Sequence, residues 1–169
     1  MRKVMLAALL VMSGIGSVWA EQCPQIQRSD TAIVCTEIVF NDNGSALSSG
    51  QVVAWDDDDT DFSTTGYPYV TTTTTADDPY TAGVILNNSC PDQALCTIVT
   101  HGLTEVLLDN ATDDTAVDTQ VGNSTVAGMA GDYATGANTC LLGTLVAYEN
   151  ADIATDGIRG RVFVDIDCD

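Results

Sequence analysis

The chain has 169 residues, 24 Asp and Glu against 5 Lys and Arg, and a formal net charge of −19. That balance argues against nucleic-acid binding, which needs Lys and Arg to neutralise phosphate, and against an anionic membrane surface. The length fits one or at most two domains, with enough chain for a real core.

Arg2 and Lys3 precede the apolar run Val4 to Val11, and Val18-Trp19-Ala20 ends in a small residue. This pattern predicts a secretory signal peptide over residues 1–20, too short for a permanent membrane anchor. The mature chain is then expected to begin at Glu21 and to work outside the cytoplasm, secreted or at the cell surface, with no membrane insertion. All 24 acids lie beyond that segment, opposed there only by Arg28, Arg159 and Arg161. Residues 21–30 (EQCPQIQRSD) are polar, contain Pro24 and lack alternation, so they read as an N-terminal arm. Residues 31–169 read as a single β domain.

Helical periodicity is almost absent, whereas Thr, Val, Gly and Asp dominate. The first expected strand is Thr31 to Phe40, followed by Asn43-Gly44, a strong hairpin signal, with Gln51 to Trp55 as the return strand. Tyr67 to Thr75, Thr81 to Leu86, Leu95 to Thr100 and Leu103 to Leu108 follow. Val117 to Val121, Ser124 to Ala130, Leu141 to Tyr148 and Ile158 to Ile166 complete the series. Short β-branched runs punctuated by Gly, Asn and Asp predict an all-β protein, a compact sandwich or barrel of roughly 8–10 short strands. The last run alternates most cleanly. Ile158, Gly160, Val162, Val164, Ile166 and Cys168 fall on one face, and Arg159, Arg161, Phe163, Asp165, Asp167 and Asp169 on the other.

The cysteines are Cys23, Cys35, Cys90, Cys96, Cys140 and Cys168, an even number in a chain with secretory features. They argue for a disulfide-stapled fold. Six cysteines allow fifteen connectivities. The pairing 23–35, 90–96 and 140–168 is the one expected, the middle pair as a staple across a short turn at Pro91. A zinc set is poorly supplied, with no C-x2-C pair and a single histidine, His101.

Asp57, Asp59 and Asp61 lie in the run DDDDTD at calcium-like alternate spacing. Phe62 stands where an EF-hand needs Gly and Pro68 where it needs Glu, so an irregular calcium site or a solvated acidic turn are the two readings. His101 has no G-x-S-x-G nucleophile to serve, and no phosphate-cradling loop is present. With so many carboxylates, some pair spaced for glycoside hydrolysis is unavoidable and carries little information. Asn43, Asn87, Asn110 and Asn123 open N-x-[ST] triplets, and Thr71 to Thr75 offers an O-linked alternative.

From residue 49 to 167 the order of short motifs resembles that of small capsid-decoration-like proteins of tailed phages. The carrying residues are Gly50-Gln51-Val52-Val53-Ala54-Trp55-Asp56, Ala82-Gly83-Val84, Val99-Thr100-His101-Gly102 and Thr104-Glu105-Val106. Ala127-Gly128-Met129-Ala130, Leu142-Gly143-Thr144-Leu145 and Val162-Phe163-Val164 follow. The resemblance implies a compact β-fold that coats a preformed lattice and has no catalytic residues. The signal peptide and the cysteines depart from that family and move the expected setting outside a cell.

The resulting expectation is a secreted, non-enzymatic structural protein that self-assembles or coats a surface, such as an extracellular filament or sheath subunit. It needs no cofactor, save calcium if the Asp run binds it. The alternatives are a calcium-dependent adhesin or carbohydrate-binding module with glycan partners, and a secreted hydrolase using a carboxylate pair.

Overall fold

The computed structural model describes residues 34–56, 65–109, 118–134, 136, 139–148 and 157–168. The signal peptide, the arm over 21–30, Cys23, Asp57, Asp59, Asp61 and Asn110 lie outside the described residues.

The β-branched runs form strands, eleven among the described residues. In chain order they are β1 (Cys35–Asn41), β2 (Leu47–Ser48), β3 (Val52–Trp55), β4 (Tyr69–Thr71), β5 (Thr81–Ile85) and β6 (Ser89–Cys90). Then come β7 (Leu95–Leu108), β8 (Gln120–Asn123), β9 (Ala130–Asp132), β10 (Cys140–Tyr148) and β11 (Ile158–Cys168). Nine of them make one sheet, and β2 pairs with β6 apart from it. The protein is all-β, as its composition predicts.

The sheet closes on itself twice. Strands β1, β4, β3 and β5 lead round to β7, and β7 pairs back with β1, which completes a five-stranded mixed barrel. The parallel member is β1 with β4, through Phe40↔Tyr69. Strands β11, β10, β8 and β9 leave from β7 and return to it, through the parallel bridge Leu108↔Ala130. Strand β7 belongs to both circuits. Its first half pairs with β1 and β5, its second half with β11, and His101 is the handover point, in register with Cys35 on one strand and Asp165 on the other. Gly102, next to it, has φ +109°. A side chain there would be strained, so glycine lets one strand turn from one circuit into the next without ending.

Two cores follow from this closure. One gathers Val39, Val53, Val70, Ala82, Ile85 and Ile98 with Leu47. The other gathers Val106, Leu108, Val121, Leu142, Leu145, Val162 and Val164, and it also takes Val52, Val84 and Val99. Adjacent residues of β3, β5 and β7 therefore serve opposite cores. Strands covered on both faces need continuous apolar runs, hence Val52-Val53 and Val84-Ile85 where a half-wet strand would alternate. The last strand is half-wet: Gly160, Val162 and Val164 are buried, while Arg161, Phe163 and Asp165 are exposed. Each buried Val or Leu contributes about 1.5–3 kcal/mol relative to exposure.

Disulfides close both ends. Cys90 bonds to Cys96, and Cys140 to Cys168, in register across β10 and β11. Cys35 is disulfide-bonded as well, and among the described residues no cysteine is free.

The structure corrects three strand expectations. Leu95 to Thr100 and Leu103 to Leu108 are one strand, because Gly102 bends the chain without releasing its ladder. Asn43-Gly44 turns the chain but joins no hairpin, since β1 lies between β4 and β7 and not beside β3. Its Asn43 carboxamide instead accepts from Thr72 N–H at 2.9 Å and from the Thr71 and Thr72 hydroxyls. Ser124 to Ala130 is mostly a turn, closed by Ser124 N–H to Met129 O at 3.0 Å, and the strand starts only at Ala130.

Candidate functional site

A long ladder brings together side chains that are far apart in sequence. Ile38 lies opposite Thr97 on β7, and Leu86 continues the β5 ladder against the same residue, its N–H donating to Thr97 O at 2.9 Å. One row thus runs Leu86, Thr97, Ile38 across three neighbouring strands. The next row pairs Leu95 with Phe40. These positions alternate with Val39, Cys96 and Ile98, which point into the first barrel, so the rows point outward. Ile38 is 51% exposed, Leu95 50% and Leu86 47%. None of these positions carries a charge, in a chain with 24 acids. The Phe40 ring packs on that of Tyr69, its register partner on β4, centroids 4.8 Å apart. The result is an uncharged, mostly apolar strip on the outside of the barrel, with Thr97 between Leu86 and Ile38. Contiguous exposed apolar surface of this kind marks a contact site.

The acids best placed for chemistry are buried. Gly122 and Gly131 face each other across β8 and β9. A Cβ on Gly122 would collide with Asp77 Oδ1, and one on Gly131 would stand 2.9 Å from Asp109 Oδ2. Only glycines admit the two carboxylates so close to the backbone. Asp77 links several elements: its N–H donates to Asn123 O at 2.8 Å, its carbonyl accepts from Cys140 N–H at 3.1 Å, and Oδ2 accepts from Ala134 N–H at 3.0 Å. Its Oδ1 has no partner among the described residues. Burial pushes the carboxyl above its ordinary value of 3.8, and the Ala134 hydrogen bond pulls it partly back. Ser124 Oγ donates to Asp109 Oδ2. This pair binds loop to hairpin from inside, out of reach of a large substrate.

His101 stands on the outer face of β7. Its Nδ1 is 3.2 Å from Asp165 Oδ1, and its ring meets the Phe163 ring edge-on, centroids 5.1 Å apart. Among the described residues no hydroxyl or thiol is hydrogen-bonded to it. Of the N-x-[ST] positions, Asn123 is 2% exposed and closed to any sugar, while Asn87 accepts from Thr97 N–H through Oδ1 at 2.6 Å. Among the described residues no group of three or more His, Cys, Asp or Glu is arranged to hold a metal. No helix among them is long and apolar enough to cross a membrane.

Sequence reasoning did not find the apolar strip or the buried carboxylates Asp77 and Asp109. The strip exists only after three strands are paired. The Asp77-Asp78-Pro79 turn was the one local signal for a buried acid, through the Asx bond from Tyr80 N–H to Asp78 Oδ1 at 2.9 Å.

Fold and surface define a disulfide-bonded, all-β protein of closed-sheet type. No protein-family model matches the chain, and no curated protein matches it in sequence. The motifs that resemble capsid-decoration-like proteins thus reach the general disulfide-rich all-β class and no particular family.

Proposed function

We propose that this protein is a secreted, non-enzymatic structural subunit that associates with copies of itself and coats a surface, in the manner of the capsid-decoration-like proteins its motifs resemble. The observation that carries the reading is the uncharged strip of Ile38, Leu86, Leu95 and Phe40. A dense negative charge keeps copies apart. A patch free of carboxylates is where two copies meet at least electrostatic cost and with most apolar area to bury. The barrel supports this use. Closure leaves few open strand edges, so contacts run through faces and not through added strands. Disulfides fit a subunit that must persist in an oxidising setting.

The test is sedimentation velocity and negative-stain microscopy on protein beginning at Glu21. Wild type is expected to form large particles, and Ile38→Ser with Leu95→Ser to leave mostly monomer with an unchanged near-ultraviolet spectrum. Wild type that stays monomeric at every concentration tested would sink the reading.

A further inference from the structure

We propose that the outer face of β11 around Arg161 binds the acidic surface of a second copy of this chain; this rests on the self-association reading and names one of its contacts. Arg159 and Arg161 are the only Lys or Arg among the described residues, and they occupy successive outward positions on β11. Arg159 is engaged. Its Nη1 donates to Glu105 Oε2 at 3.1 Å and its Nη2 to Ser49 O at 3.4 Å. Glu105 lies opposite Arg161 in the ladder, yet its carboxylate is turned to Arg159. Arg161 is exposed and has no ion-pair or hydrogen-bond partner among the described residues.

The surroundings suit a contact. On the β10 side Arg161 faces Ala147, beside the bulge that leaves Val146 43% exposed. Phe163, 37% exposed, is the next outward residue along β11. An unpaired guanidinium flanked by exposed aromatic and aliphatic groups has the composition of a binding hot spot. Its planar fork takes a carboxylate through two parallel N–H donors. The chain itself supplies carboxylates in excess, 24 acids against 5 basic residues. Copies with that imbalance repel, and among the described residues Arg161 is the one unpaired cation placed to offset the repulsion at a contact. Asp165 and Asp167 lie exposed on the same β11 face, so two β11 faces laid antiparallel bring Arg161 of each copy towards the acids of the other. Contact with a different acidic face of the second copy is heterologous and builds rings or filaments.

The experiment measures self-association of the mature chain by sedimentation at one fixed ionic strength. Wild type is compared with Arg161→Gln, Arg161→Lys and the control Ser89→Asp on β6, outside β11, which changes net charge as Arg161→Gln does. Arg161→Gln should weaken association roughly tenfold or more, as hot-spot truncation does, Arg161→Lys should recover part of it, and Ser89→Asp should change it little. Equal association by wild type and Arg161→Gln overturns the contact while leaving self-association intact. Equal loss in Arg161→Gln and Ser89→Asp also overturns it, by reducing the effect to net charge. A wild type that never associates fails the underlying reading. One that instead binds polygalacturonate through Arg161 makes a polysaccharide the acidic partner and overturns the second-copy assignment.

Discussion

Ile98 and Val99 are neighbours on β7 and belong to different cores, Ile98 inside the first barrel and Val99 against the second circuit. Each is 0% exposed. Ile98→Ala is expected to cost about 2–5 kcal/mol, by lost burial and a residual cavity. Val99→Ala should cost somewhat less, in proportion to its smaller side chain. Because the two side chains point into separate cores, the double variant should come close to the sum of the single ones. Urea midpoints of the two single variants and the double variant check this. A large excess over additivity would mean that the cores respond as one.

Gly122→Ala tests the carboxylate packed on β8. The new methyl collides with Asp77, whose main chain is fixed by Asn123 and Cys140. Overpacking of this kind costs about 1–3 kcal/mol. Thermal unfolding of Gly122→Ala beside a surface Ala variant reads it.

Asp77 also sets a pH dependence. Its folded pKa is raised, so the folded state holds this proton more tightly than the unfolded one. The contribution is fully present below the ordinary value of 3.8 and is lost as pH rises through the folded value. Asp77→Asn removes the titration. The variant should gain stability relative to wild type as pH is raised from the acid side towards neutrality, and paired melting curves across that range would show it. A constant difference at every pH would mean that Asp77 does not titrate differently in the fold.

How far the sequence discloses this protein depends on whether pairing is local. Strand β11 was legible because alternate burial of Gly160, Val162 and Val164 is written in consecutive residues. The double burial of Val52-Val53 was legible as a strand but not as a wall between two cores. The unity of β7 was hidden, since His101-Gly102 reads as a break until both halves have partners. The Asn43-Gly44 signal misled because its amide caps a distant threonine pair, a tertiary demand that overrides hairpin preference. The apolar strip was out of reach altogether, being made by registers between β1, β5 and β7 that no short window contains.

Removing the bond between Cys140 and Cys168, by changing both to Ser, should cost about 2–5 kcal/mol. The bond spans 28 residues and ties the end of β11 to the start of β10. Intact mass after alkylation without reductant should show no modified cysteine in the wild type. Urea unfolding of the double Ser variant reads the loss.

Added sodium chloride should raise the melting temperature. A net charge of −19 repels itself in the compact state, and screening shortens the reach of that repulsion to about 10 Å at 0.1 M. Calorimetry at low and high salt, at one pH, measures the shift.

The shared strand also fixes an order in time. Residues of β1 find their main partner only when β7 has been made, and the second half of β7 waits for β11, about fifty residues further on. Neither circuit can complete from a local piece of chain. Folds built from such distant pairings mature in milliseconds to seconds, slowly for their size. During that interval the valine-rich strands stand uncovered, and the high negative charge of the chain then protects it from its own siblings before any ordered contact can form.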